Sequence, residues 1–202
     1  MSLRKTENLS RSFSLAAFVL FLLFSSATQS PAQSGTKVEQ YSATAFVTGI
    51  FAPTSVTNTI AFAFFASSYT PDDELQSLIS IFNTQGEAGL EKTFSTMKER
   101  GRVSTNLRPS QGSFKFARST TSGSETVIRM ATGRILSFPE LTGNTALSKY
   151  RFSVVELHLD AQGKGEGTLT YAAKLKFNPH GELEVESYTD APIPLRNVRK
   201  AR

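Results

Sequence analysis

Residues 160–185, DAQGKGEGTLTYAAKLKFNPHGELEV, contain one turn pattern twice. DAQG and NPHG each begin with Asp or Asn, continue with two residues suited to a type I turn, and end with a glycine that can adopt a left-handed conformation. A three-residue hairpin loop at each place pairs Asp160 with Lys164 and Asn178 with Glu182. The stretch therefore predicts three consecutive antiparallel strands, a C-terminal meander.

The predicted register sorts the meander by polarity. The first hairpin places His158 opposite Glu166 and Glu156 opposite Thr168, so polar side chains meet on one side. The other side is apolar, with Leu169, Tyr171, Ala173, Leu175, Phe177, Leu183 and Val185. One buried side and one solvated side are typical of an antiparallel sheet.

Upstream of the meander, strand-like segments are followed by a helical pattern. Segments 39–50 and 56–66 alternate or are apolar on both sides, which predicts two strands, the second covered on both faces. From Thr70 the apolar period becomes 3.6, with glycines at 86 and 101 that predict the ends of two helices. The expected fold is α+β: an antiparallel sheet of about seven or eight strands with a two-helix hairpin inserted after the second strand. The stretch 136–149 is expected to be a long surface loop.

The N-terminal segment 1–32 resembles an export signal. Basic residues near the start precede a short apolar run at 15–24, and small residues before Gln33 satisfy the rule for signal-peptide cleavage. We expect residues 1–32 to be a signal peptide and 33–202 a single domain with a short basic C-terminal tail. The mature chain would then be secreted or periplasmic, with no membrane-spanning segment.

The amino-acid composition excludes several classes of protein and kinds of site. The chain has no cysteine, which excludes disulfide scaffolds, thiol catalysis and cysteine-based zinc sites. Without the three basic residues and one acidic residue of the leader, the 22 basic and 17 acidic residues fall to 19 and 16, and much of this small excess lies in the predicted tail. Nucleic-acid binding is therefore not expected. The possible anion contacts, which would suit an envelope component or another anionic surface, are Arg196, Arg199, Lys200 and Arg202.

The segment VVELHLD at 154–160 is the strongest candidate for chemistry. Glu156, His158 and Asp160 would share one side of a strand, and Glu166 opposite His158 could supply a fourth metal ligand or proton carrier. Alternate side chains on a flat strand lie ~7 Å apart, however, and each of these has a plausible partner in the register. We interpret them as a solvated charge ladder and predict no cofactor or metal.

A second candidate is an apolar ligand pocket beside Phe62, Phe64 and Phe65, whose simpler interpretation is plain core. Other catalytic patterns are missing from the sequence: there are two histidines, no nucleophile elbow, no H-E-x-x-H motif and no phosphate-binding glycine loop.

Four stretches, TPDDELQSL, YRFSVVELHLD, KGEGTLTYAAKLKF and PIPLRNVR, resemble an uncharacterised group of exported bacterial proteins over most of residues 40–199. The resemblance implies export and one domain, and it implies no activity. The preferred function is a non-catalytic binding or envelope-interaction module. The alternatives are a small hydrolase or metal-dependent enzyme, and a carrier of an apolar ligand.

Overall fold

The computed structural model describes residues 38–48, 57–107, 112–136, 149–189 and 191–202, all within the unit Gly35–Arg202. The predicted signal peptide and most of the predicted loop at 136–149 lie outside the described residues. The described elements are, in chain order, β1 Glu39–Thr48, β2 Thr57–Ala66, α1 Asp72–Thr96, β3 Gly101–Thr105, β4 Gly112–Phe114, β5 Phe116–Ser122, β6 Glu125–Thr132, β7 Phe152–Leu159, β8 Lys164–Phe177, β9 Leu183–Tyr188 and β10 Ile193–Lys200.

The strands form one antiparallel sheet whose two ends meet. Their order is β4-β3-β2-β1-β10-β8-β7-β6-β5, with β9 paired beside β8. Only Lys115 separates β4 from β5, and its backbone N–H donates a 2.9 Å hydrogen bond to the carbonyl oxygen of Ala131 in β6. The sheet thus curls into a nearly closed antiparallel barrel.

Side chains fill the inside of this barrel. If β4 and β5 count as one and β9 lies outside, eight strands surround the axis, and such a barrel is just wide enough for its own side chains. The interior cluster includes Phe64, Phe114, Met130, Val155, Leu169, Leu195 and Val198, all almost fully buried. Phe62 and Phe64 stack there with ring centroids 5.6 Å apart.

The predicted α+β fold with a two-helix hairpin is wrong. The described residues are mostly strand, and the helical part is one helix, Asp72–Thr96, with a kink at Gly86 (φ 65°). A hairpin needs a loop of several residues to reverse the chain, whereas here one residue leaves the helical conformation. The apolar residues that recur at helical spacing do pack: Leu78, Leu90 and Phe94 are buried against the outer side of β5 to β9.

The predicted register of the meander is confirmed beside both turns, whereas farther along β8 a bulge between Lys174 and Leu175 shifts the pairing with β9. His158 pairs with Glu166 and Glu156 pairs with Thr168 between β7 and β8. Both turns close as expected: the N–H of Asp160 donates to the carbonyl of Lys164, and a matching bond joins residues 178 and 182. Local turn chemistry therefore determines this part of the fold.

The predicted basic tail is instead a strand of the barrel. β10 lies between β1 and β8, and Leu195 and Val198 point inward and are fully buried. Leu195 and Val198 are three positions apart on β10. Their partners on β8, Gly167 and Gly165, are only two positions apart. The extra residue makes a β-bulge, and Asn197 there has φ 52°, a left-handed conformation that Asn tolerates.

Two glycines let β7 and β8 approach closely. A Cβ at Gly165 would lie 1.8 Å from the carbonyl oxygen of His158, and one at Gly167 would lie 2.4 Å from that of Glu156. Gly165 faces Leu159 and Gly167 faces Leu157 across the pair. The small residues of KGEG therefore serve strand packing.

Candidate functional site

Glu156 and His158, two of the four candidate catalytic residues, point outward from β7. Nδ1 of His158 lies 2.8 Å from Oε1 of Glu125, and its Nε2 lies 2.7 Å from Oε1 of Glu156. Oε2 of Glu156 also accepts a 2.5 Å hydrogen bond from Nε of Arg129. These four side chains form a chain of paired charges across β6 and β7.

The other two candidates, Asp160 and Glu166, turn to different partners. Oδ1 of Asp160 accepts two 2.9 Å hydrogen bonds from backbone N–H groups of its own turn. Oε2 of Glu166 lies 2.5 Å from Nη1 of Arg196. Within the described ranges, no group of three or more His, Asp or Glu side chains is placed to hold a metal ion. The structure thus brings two of the four candidates into contact and separates the rest.

The ion pairs among these charged side chains determine the protonation states of Glu156 and His158. Burial alone would raise the pKa of Glu156, but hydrogen bonds from Arg129 and His158 outweigh it and lower that pKa. Burial alone would lower the pKa of His158, but hydrogen bonds to Glu125 and Glu156 outweigh it and raise that pKa. A protonated imidazole donates from both nitrogens and has no lone pair for a general base. This geometry favours a structural charge ladder over a catalytic site.

His158 should make the protein's stability depend on pH. Because its pKa is raised on folding, its contribution is complete below the ordinary value of 6.5 and is lost as the pH rises through the folded value. We expect the difference in unfolding free energy between the native protein and His158→Gln to shrink across that window, as measured by urea unfolding at several pH values. His180→Gln, at a turn tip, is the control. A difference that stays constant, or grows with pH, would contradict the charged pairing.

A polar cluster lies at one mouth of the barrel. Oε2 of Glu39 in β1 accepts hydrogen bonds from the hydroxyls of Tyr41, at 2.6 Å, and Tyr69. Its Oε1 accepts from Nζ of Lys200 in β10. Tyr69 belongs to the segment between β2 and α1, which Thr70 fixes through a 2.7 Å hydrogen bond from its N–H to the carbonyl of residue 117. Three separate parts of the chain therefore meet at one carboxylate.

The cluster keeps its carboxylate ionised and its phenols neutral. Burial alone would raise the pKa of Glu39, but hydrogen bonds from Lys200, Tyr41 and Tyr69 outweigh it and lower that pKa. Burial raises the pKa of both tyrosines, and their hydrogen bonds to the carboxylate raise it further. At neutral pH the phenols are hydrogen-bond donors, and the Glu39 and Lys200 charges offset each other.

A cleft of about 360 Å³ opens beside this cluster. Buried Ile128 and Leu159 supply apolar surface, and the rest of the lining is mainly polar, including Ser119, Thr126, Asp160, Gln162 and Arg202. The cleft can therefore offer hydroxyl, amide and charged groups above an apolar base. This combination is typical of a ligand site.

The four predicted anion contacts divide between two places. Arg196 and Arg199 lie on the outer face of β10, and Lys200 and Arg202 line the mouth cleft. The phenylalanines of the predicted apolar pocket divide as well. Phe62 and Phe64 lie in the filled interior, and Phe65 points outward under the guanidinium of Arg102, 4.6 Å from the ring centroid.

The mouth cluster was missed by sequence reasoning. Glu39 and Lys200 are 161 residues apart, and Tyr41 and Tyr69 are 28 apart. The available signal was that Glu39 and Tyr41 lie two residues apart on one side of a predicted strand. Nothing in the sequence placed Tyr69 or Lys200 next to them.

Comparison with known proteins finds no family model that matches this chain, and no curated protein or solved structure that is similar to it. In the part of the chain that the structure describes, no helix is long and apolar enough to cross a membrane. The geometry of the sites is therefore the basis on which a function can be assigned.

Proposed function

We propose that this chain is an exported, non-catalytic binding module that holds a small ligand in the mouth cleft. One observation carries the proposal: side chains fill the barrel interior, whereas the mouth keeps a cleft of about 360 Å³. Ligand pockets are typically ~300 to 1,000 Å³, and barrel mouths are among their preferred places. Export rests on the leader predicted over residues 1–32.

The lining favours a neutral, hydroxylated ligand of about monosaccharide size. Glu39 and Lys200 neutralise each other, so the cluster has no net charge to attract an ion. The phenol oxygen of Tyr69 and the hydroxyl of Thr126, both partly exposed in the cleft, can exchange hydrogen bonds with ligand hydroxyls. Buried Ile128 can contact the apolar side of such a ligand.

Two alternatives have less support. An enzyme centred on Glu156 and His158 would need a free lone pair or an open metal position, and both side chains are engaged in ion pairs. A carrier beside Phe62 and Phe64 would need space in the interior, where these rings stack on each other at 0 to 2% exposure.

The mouth site predicts a measurable effect of Tyr69→Phe. We expect at least one neutral monosaccharide or polyol from a panel to bind the full chain in isothermal titration calorimetry and ligand-observed NMR. Removing the Tyr69 hydroxyl deletes one donor to Glu39 and one hydrogen-bonding group of the cleft, so affinity should fall roughly tenfold. The matched control is Tyr188→Phe on β9, whose ring is half exposed and away from the cleft.

The outcomes separate the proposals. Binding of a fatty acid in place of the polyols would favour the apolar carrier. Equal binding to the native protein, Tyr69→Phe and Tyr188→Phe would place the ligand elsewhere. No binding across the panel, with an unchanged melting temperature, would refute the small-ligand proposal.

A further inference from the structure

Among the residues that the structure describes, no helix packs on one side of the barrel. α1 packs on the outer side of β5 to β9, whereas the outer side of β10, β1 and β2 carries mainly small and polar side chains, with Phe46 and Phe65 as its large apolar ones. Ser42, Thr44, Ala61 and Ala63 are exposed or half-exposed there and pair across β1 and β2. We name this outer side of β10, β1 and β2 the helix-free face. The sequence predicts a cover on both sides of β2, and among the described residues the outer side is covered only where the guanidinium of Arg102 lies over Phe65.

Two like charges stand at the border of this face. Arg199 in β10 is the direct register partner of Lys164 in β8, and both are exposed. Within the described ranges neither side chain has an ion-pair partner, because the nearby carboxylates are engaged: Glu166 binds Arg196, and Asp160 binds the amides of its turn. The face therefore holds cations without matching anions.

The pairing of Arg199 with Lys164 is unfavourable in the free protein. Like charges directly opposite each other in a sheet are destabilising. Neighbouring strands are about 4.8 Å apart, so one sulfate or carboxylate group can contact both cations. A bound anion would remove this repulsion.

We propose that the helix-free face binds an acidic polysaccharide, with Lys164 and Arg199 as its principal contacts. The small side chains beside the cations allow an extended polymer to lie against the strands. A bilayer is less suited, because insertion into lipid needs large apolar side chains among the cations. Phe46, at the far end of β1, is the exposed large apolar group of this face among the described residues.

The experiment uses a fluorescent heparin oligosaccharide as the polyanion and the full chain at low salt. For Lys164→Gln with Arg199→Gln we expect at least a roughly tenfold loss of affinity, and a salt dependence weaker by about two counterions. The melting temperature of this variant should not fall, because a repulsion has been removed. Lys92→Gln with Lys98→Gln, which removes two exposed charges elsewhere, should bind within about twofold of the native protein.

Three results would overturn the proposal. These are the absence of heparin binding, an equal loss in the two double variants, or binding to uncharged dextran as strong as to heparin. Vesicles of phosphatidylglycerol form the last arm. Stronger binding to vesicles than to heparin, lost in Lys164→Gln with Arg199→Gln, would assign the face to a lipid surface instead.

Discussion

A chain truncated after Leu195 is expected to lose its cooperative unfolding transition. Residues 196–200 complete β10, which pairs with β1 on one side and β8 on the other. Truncation removes the fully buried Val198, worth about 1.5 to 3 kcal/mol, and the hydrogen bonds of this segment to both neighbours, worth about 0.5 to 1.5 kcal/mol each. Domains are typically stable by only ~5 to 15 kcal/mol. Thermal unfolding followed by near-ultraviolet circular dichroism measures the effect.

A variant that removes only charges distinguishes the effect of losing the strand from the effect of losing its charges. Arg196→Gln with Arg199→Gln keeps every inward side chain of β10 and should unfold cooperatively, because both arginines point outward. If the truncated chain unfolded with a free energy within about 1 kcal/mol of the full chain, β10 would be the dispensable basic tail that its composition suggests.

The parts of the fold that the sequence predicts well are those controlled by neighbouring residues. The turns at Asp160 and Asn178 depend on side chains and glycines close by in the chain, so the register of β7, β8 and β9 beside each turn follows from local chemistry. The apolar stripe of Leu75, Leu78 and Phe94 is likewise a local pattern, and it does pack against the sheet.

β10 was missed because its pattern departs from simple alternation. Its inward residues Leu195 and Val198 are an odd number of positions apart, and the bulge at Asn197 restores their common direction. Arg196 and Arg199 add a charge density that is typical of exposed chain ends. The bulge therefore interrupts the alternation that indicates a central strand, and the arginines make the segment resemble an exposed tail.

The helical region shows a related limit of prediction from sequence. Gly86 marks a break in the helix, as its sequence context predicts, but a glycine does not specify whether the chain bends or reverses. Here it bends, so one kinked helix lies on the barrel where the sequence suggests a hairpin. The barrel also depends on the pairing of β1 with β10, which lie near opposite ends of the described chain, and no local pattern reveals this pairing.

The same difference between local patterns and long-range contacts applies to the candidate sites. Glu156 and His158 were placed correctly on the solvated side of β7, since this requires only the alternation of a strand. Their true partners Glu125 and Arg129 come from the preceding strand β6, and the predicted partner Glu166 is engaged by β10. Pairing between strands that are distant in sequence brings these groups together, as it does Glu39 and Lys200 in the mouth cleft.

Replacing Phe94 by Ala is expected to lower the free energy of unfolding by about 3 to 5 kcal/mol. The ring is 1% exposed, stacks near Phe116 at 6.4 Å and meets Phe152 edge-on at 5.9 Å, so it joins α1 to β5 and β7. Its removal leaves a cavity that these rings can only partly fill. The matched control is Phe46→Ala, whose ring is 56% exposed. In urea unfolding this control should change stability by no more than about 0.5 kcal/mol. Equal and small effects would mean that α1 is not packed on the barrel.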